Sequence, residues 1–189
     1  MSEHLLSLVL LTPLAGMLLL LLIPSSRTTL VKIWANISAF AGFAVSLLLL
    51  TRFDSANGDF QMVERADWIP AIGLKYALGI DGISLLLVLL TTLMGFLAVL
   101  SSWNAVEDRV KSYYAMLLLQ QTGMIGVFLA LDFLLFYVFW EVVLVPMYFI
   151  IGVWGGRRKL YAAIKFFLYT MAGSVLMLLG ILTLYFQHY

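Results

Sequence analysis

The 189-residue chain has no cysteine, four prolines and few charges: 11% of its residues are Asp, Glu, Lys or Arg. Without cysteine there can be no disulfide, thiolate metal site, iron–sulfur ligation or cysteine nucleophile. A formal net charge of +1 argues against a nucleic-acid partner. The two histidines, His4 and His188, stand near opposite ends of the chain, too isolated for a metal site. No phosphate-binding glycine loop or dinucleotide fingerprint occurs, and Gly155-Gly156 before Arg157-Arg158-Lys159 reads as a turn with retained positive charge. What is abundant is apolar: 63% of the residues are hydrophobic. Soluble domains run nearer 45–50% apolar and 25% charged, so composition alone describes an integral membrane protein. The first residues, MSEHLLSLVLL, lack the basic start and small-residue cleavage site of a secretory signal, so the first apolar run reads as a retained span.

Six apolar segments of spanning length follow, at about 5–23, 31–51, 83–103, 113–131, 132–154 and 160–186, predicting one all-α polytopic transmembrane domain over residues 1–189. The first ends at Pro24-Ser25-Ser26. The second carries Ala35, Ser38, Ala39, Ala41, Gly42 and Ala44, small residues that let helix backbones approach closely. The 52–80 stretch is the long polar loop, with Asn57-Gly58, Pro70 and Gly73 as turn signals, and predicts a short hairpin or extended segment outside the membrane. Asp81 then stands where an N-cap of the third span belongs.

Six spans place the 24–30, 104–112 and 155–159 connections on one side. That side carries Arg27, Lys32, Arg109, Lys111, Arg157, Arg158 and Lys159, against Arg52, Arg65 and Lys75 on the other. The positive-inside rule makes the first side cytoplasmic and puts the N-terminus and the 52–80 loop outside, with Trp34, Trp103 and Trp154 as cytoplasmic interface anchors.

The stretch DFLLFYVFWEVVLVPMYFIIGVW, Asp132 to Trp154, carries one charge between its ends, Glu141. At 1.5 Å per residue Glu141 lies roughly 13 Å past Asp132, near the middle of a ~30 Å hydrocarbon core. Pro146, five residues on, has no N–H to give the Val142 carbonyl and predicts a bend. Ionisable groups at that depth are costly, which makes Glu141 a candidate proton relay; the plain alternative is a protonated carboxyl hydrogen-bonded between helices. Gln120 and Gln121 lie at about the same depth, with Thr91, Thr92 and Thr170, so a hydrogen-bonded or hydrated belt is one reading and interhelical glue the other. Lys165, the second intramembrane charge, lies about 8 Å inside the cytoplasmic edge. It either snorkels to the surface or turns inward toward Glu141.

Three stretches carry a resemblance: LGIDGISLLLVLLTTL (78–93, preceded by the WIPxxGxxYxLGIDG pattern from Trp68 to Gly82), FYVFWEVVLVPMYFIIGVWGG (136–156), and YAAIK (161–165) continuing as FFLYTMAGSVLML. Together they resemble the antiporter-like membrane subunits of respiratory complex I, the proton-translocating NADH:quinone oxidoreductase, over essentially the whole chain. The resemblance implies an inverted-repeat fold in which Glu141 matches the family's essential glutamate of the fifth span, paired with a lysine of a broken seventh helix. It implies a subunit with no redox centre, no bound cofactor or metal and no nucleic-acid partner, lying in the bilayer beside other membrane-arm subunits and driven by quinone chemistry elsewhere. A full member has about fourteen spans, so six would be its N-terminal part, without the seventh-helix lysine. Two other functions remain as alternatives: a subunit of a multisubunit sodium/proton antiporter, which shares the glutamate motif, and a structural membrane module that moves no protons.

Overall fold

The computed structural model describes residues 4–69 and 74–188. Six helices and one hairpin follow in order: α1 (Leu5–Leu22), α2 (Thr28–Leu50), β1 (Gln61–Ile69), β2 (Leu74–Ile80), α3 (Gly82–Ser101), α4 (Val110–Leu129), α5 (Phe133–Trp154) and α6 (Lys159–His188). The predicted helical membrane class holds. Five of these helices are long and apolar enough to cross a membrane, and α4 is the exception. Its shortfall comes from Tyr113, Tyr114, Gln120 and Gln121, and its position explains them: α4 packs against α1, α2, α3 and α5, so these polar residues meet protein. A helix surrounded by other helices can carry polarity that a lipid-facing helix cannot.

Small residues set the close contacts. The buried side of α2 is Val31, Ala35, Ser38, Ala39, Gly42, Ser46 and Leu49. A Cβ on Gly16 of α1 would stand 2.4 Å from that of Ser38. Likewise Gly123 and Gly126 of α4 admit Val143 and Phe139 of α5, the latter's ring where a Cβ of Gly126 would be. Two apolar clusters fill the bundle, one around Leu6, Val9, Leu10, Leu78, Ile80 and Leu129, the other around Leu20, Ala35, Val99, Tyr114 and Leu118.

The basic connections gather at one end, where they supply donors to helix C-termini. Lys32 Nζ donates to the Trp103 carbonyl at 2.6 Å and Lys111 Nζ to that of Leu21 at 2.8 Å. Trp154 Nε1 donates to the Asp108 carbonyl at 2.8 Å. Ammonium groups there satisfy the last free carbonyls and the negative end of the helix dipole.

The antiparallel hairpin closes the other end. Its register pairs Arg65 with Ala77, Ala66 with Tyr76 and Asp67 with Lys75, and bulges on either side of this run; Met62, at the first, adopts a φ of 51°. The turn signals Pro70 and Gly73 fall outside the described residues, while Asn57-Gly58 belongs to the connection before β1, where Asn57 Oδ1 accepts from the Asp59 N–H. Hydrogen bonds from both strands pin the hairpin to the bundle. Glu64 of β1, buried, accepts from the N–H of Leu6 at 2.7 Å and of Ser7 at 3.1 Å, and from the Ser7 hydroxyl, capping α1. Tyr76 of β2 meets that hydroxyl at 2.8 Å, and burial pushes its phenol pKa up, keeping it neutral. His4 Nδ1 lies 4.0 Å from the same carboxylate. The α4–α5 connection joins β2 through Leu131 N–H to Ala77 carbonyl at 2.9 Å; Gly79 leaves room for the Leu131 side chain, which would meet a Cβ at 2.6 Å. Finally Asp81 caps α3 in a reciprocal box with Ser84.

Glu64→Ala would leave the first N–H groups of α1 without an acceptor, a loss of about 1–3 kcal/mol. The expected result is faster amide exchange in the first turn of α1 and in β1, with α3 unchanged. The backbone N–H of Ser84, followed by its hydroxyl, holds the Asp81 carboxyl below its ordinary pKa. Stability from this cap is therefore complete above the ordinary value of about 4 and is lost as pH falls through the lowered native value. Asp81→Ala should cost about 1 kcal/mol at neutral pH and flatten that acid limb of an unfolding titration.

Candidate functional site

Helix α5 runs from Phe133 to Trp154 with Pro146 buried inside it. Asp132 begins it, its carboxylate accepting from the N–H of Leu134 at 2.9 Å and Leu135 at 3.1 Å. Two opposite faces of α5 have different partners. Phe139 and Val143 press onto the glycines of α4. Two residues from each, and so roughly 200° round the helix, lies Glu141, beside the stripe that meets α6. On that stripe the Tyr148 ring sits edge-on to Phe167 at 5.5 Å, and Gly152 lies against Ala163.

Glu141 is half-buried, and its Oε1 is enclosed with no hydrogen-bond partner among the described residues. One turn earlier, Tyr137 is in polar contact with both the Glu141 carboxyl and Ser174 of α6. Ser174 itself is buried and donates to the Met171 carbonyl at 3.0 Å. The arrangement is thus a carboxyl, a phenol and a hydroxyl at the α5–α6 interface, with one carboxyl oxygen left over. Chemically, this set can hold a proton on the carboxyl and hand it along hydroxyl groups or water. Neither Tyr137 nor Ser174 was singled out from the sequence. The i, i+4 spacing of Tyr137 to Glu141 was the available signal for the first; Ser174 needed the helix pairing.

The other candidates lie elsewhere. Gln121 is buried, but on the side of α4 that faces α2 and α3: its amide rests on Gly95 and near Gly42. Gln120 is half-buried. Thr92 shares a hydrogen bond of 2.8 Å with Ser46, and Thr170 donates to the Phe166 carbonyl on its own helix. The midplane polar layer is therefore not one belt. Equal depth does not bring side chains together when they point in different directions, and α4 stands between Gln121 and the Glu141 face.

Lys165 resolves the same way. Ala163, Phe167 and Ser174 mark the α5-facing side of α6, and Lys165, two residues from Ala163 and Phe167, points to the opposite, exposed side. Its ammonium lies 6.0 Å from the Tyr161 ring centre, toward the start of α6, so it does not turn inward to Glu141. The position suits snorkelling along the helix.

Comparisons with known proteins agree with this architecture. The family model described as NADH:quinone oxidoreductase/Mrp antiporter, transmembrane, matches residues 130–188. The NADH-quinone oxidoreductase subunit M of Rhodobacter capsulatus is 52% identical over 153 residues, 80% of this chain and 29% of the relative. The NADH-ubiquinone oxidoreductase chain 4 of Chondrus crispus is 47% identical over 178 residues, 94% of this chain and 36% of the relative. The chain thus spans about a third of the length of the relatives it matches. Among solved structures, a chain of respiratory complex I from Thermus thermophilus, determined with bound NADH, is 30% identical with a TM-score of 0.78, over 96% of this chain and 35% of that one. A chain of the Mrp complex from a Dietzia species shares the fold alone, at 19% identity and a TM-score of 0.77, over 92% of this chain and 18% of that one. Across most of its length this chain is similar to the antiporter-like membrane subunits of NADH:quinone oxidoreductase, in the subunit M and chain 4 group, and it is an integral membrane protein.

Because Gly126 is filled by the Phe139 ring, Gly126→Leu would force α4 and α5 apart. Overpacking of this kind costs about 1–3 kcal/mol or more. The expected outcome is a lower thermal midpoint in detergent and less recovered protein, whereas Gly156→Ala, whose added methyl meets nothing within 4 Å, should leave both unchanged.

Proposed function

We propose that this chain forms part of a proton-translocating membrane-arm subunit of NADH:quinone oxidoreductase, with Glu141 as its proton carrier. The observation that carries the reading is the enclosed Glu141 carboxyl at the α5–α6 interface, one oxygen unpartnered and a phenol and a hydroxyl beside it. A carboxyl so placed exchanges between neutral and charged forms at a cost that its surroundings tune: a nearby cation favours the charged form, and loss of water favours the neutral one. A cation moving toward Glu141 would then unload its proton, and one moving away would let the proton load again. Lys165 sits on the wrong face of α6 for that task, so the cation comes from a helix packed over the exposed side of α5 and α6. In this reading the chain carries no redox centre and needs no cofactor, and quinone reduction elsewhere supplies the energy. Its partners are neighbouring membrane-arm subunits and lipid. The six helices act as one transmembrane unit, with the lysine-rich end cytoplasmic and the hairpin end outside. Gln120 and Gln121 play no direct part in the Glu141 path.

The second reading is ion exchange by a multisubunit sodium/proton antiporter, favoured by the shared family description and by the fold likeness to the Mrp complex. Co-purification with an NADH-oxidising peripheral arm separates the two.

Glu141→Gln keeps shape and hydrogen bonding but removes the exchangeable proton. In the intact membrane complex, NADH-driven proton translocation is expected to fall by roughly tenfold or more, the low end of what a positioned proton carrier contributes being larger still. Assembly should be unchanged. Translocation near the parental level in an assembled Glu141→Gln complex would make the carboxyl structural and the chain a scaffold.

A further inference from the structure

Among the described residues, five enclosed side-chain atoms have no hydrogen-bond partner, and four of them lie away from Glu141, on α2 and α4: Asn36 Oδ1, Tyr114 Oη, and both Nε2 and Oε1 of Gln121. Gln121 is the extreme case, 3% exposed with neither end of its amide bonded. Buried amides are almost always paired, with protein or with ordered water. Its surroundings are built to receive it. On one side Gly95 of α3 has no Cβ because the amide occupies that place, its carbon 2.6 Å from where a Cβ would stand. On the other side the fit is open: a Cβ on Gly42 of α2 would find only Gln121 Nε2 and Pro13 Cδ, each at 3.8 Å. The slot is tight against α3 and has room for a small group against α1 and α2.

The residue of α1 that faces this open side frees an acceptor on its own helix. Pro13 lies inside α1 and is buried. It has no N–H for the carbonyl of Val9, one turn earlier, and its Cδ stands where the N–H would be. Pro13 thus leaves the Val9 carbonyl without its helical donor, on the stretch of α1 whose Pro13 Cδ faces Gly42 and the Gln121 amide. A buried water needs two to four polar partners and a space of about its own size.

We propose that Gln121 holds an ordered water between α1, α2 and α4, on the Gly42–Pro13 side, bridging its amide to the Val9 carbonyl. The site is independent of the Glu141 carboxyl, from which α4 separates it. No side chain that forms it titrates, so it fixes a water in place and carries no proton of its own. It also accounts for an amide in the most enclosed helix of the bundle. The Ser46–Thr92 hydroxyl pair, one turn along α2 and α3 from the two glycines, is already satisfied: one hydroxyl donates to the other at 2.8 Å, and the accepting one donates to a carbonyl of its own helix, Phe43 for Ser46 or Leu89 for Thr92.

The test is a map of the intact membrane assembly, at a resolution that shows waters, for the parent and for two variants. The parent should show a peak about 2.7–3.2 Å from both the Gln121 amide and the Val9 carbonyl. Gly42→Ala, whose methyl makes only ordinary contacts, should fill the space and abolish the peak. Gln121→Met should abolish it by removing the polar partner. A parent map in which the amide bonds directly to protein groups with no peak beside it would overturn the proposal. So would a peak that survives in Gly42→Ala. If neither variant assembles, the parent map alone decides.

Discussion

A bilayer offers no hydrogen bonds, and each arrangement in this chain answers that constraint. Every backbone group at membrane depth must be paired within the chain, which makes the spans helical. The helix ends then carry the unpaired groups, and the chain supplies partners at both. Asp81, Asp132 and Glu64 receive N–H groups at the hairpin end; Lys32 and Lys111 donate to carbonyls at the other. The hairpin is a clasp as much as a loop. It reaches α1 through Glu64, the α4–α5 connection through Leu131, and α3 through Asp81, so one short sheet ties the starts or ends of most of the bundle.

Inside the bundle the same constraint sorts polar side chains by what surrounds them. α4, enclosed by four helices, carries the glutamines that a lipid-facing helix would exclude. On its far side α5 turns Phe139 and Val143 to α4 and Glu141 to the α6 side. Two polar places result, with α4 as the wall between them. One contains an ionisable group and is suited to moving a proton. The other contains only amide, hydroxyl and carbonyl groups and is suited to holding a neutral molecule. The exposed outer sides of α5 and α6, with Lys165 on the latter, are where further helices belong in the reading of Glu141 as a carrier.

Depth was legible in the sequence and direction was not. Counting residues from helix ends placed Glu141, Gln120, Gln121 and Thr92 near one level, because rise per residue is fixed. Which way each points depends on neighbours, and in α1 or α5 apolar residues cover every face, so no polar stripe marks the inward side. Gln120 and Gln121 are neighbours on α4 at nearly one depth, so depth did not tell them apart, and Lys165 on α6 was compatible with turning toward Glu141. The capping role of Asp81 was readable because it is local, three residues from its partner. Glu64 was not, since its partners Leu6 and Ser7 are 58 and 57 residues away and become neighbours through the hairpin's docking alone. Similarly, Tyr137 lies within reach of sequence reasoning by its spacing, while Ser174 required the α5–α6 pairing.

The central claim is that Glu141 changes protonation as the complex works. Infrared difference spectroscopy on the membrane complex reads this directly, because only a protonated carboxyl has the carboxylic C=O stretch. The band of Glu141 is identified by its absence in Glu141→Gln. The account predicts that this band rises and falls between resting and NADH-energised states. A Glu141 band that stays constant through turnover, in a complex that pumps at full rate, would contradict it.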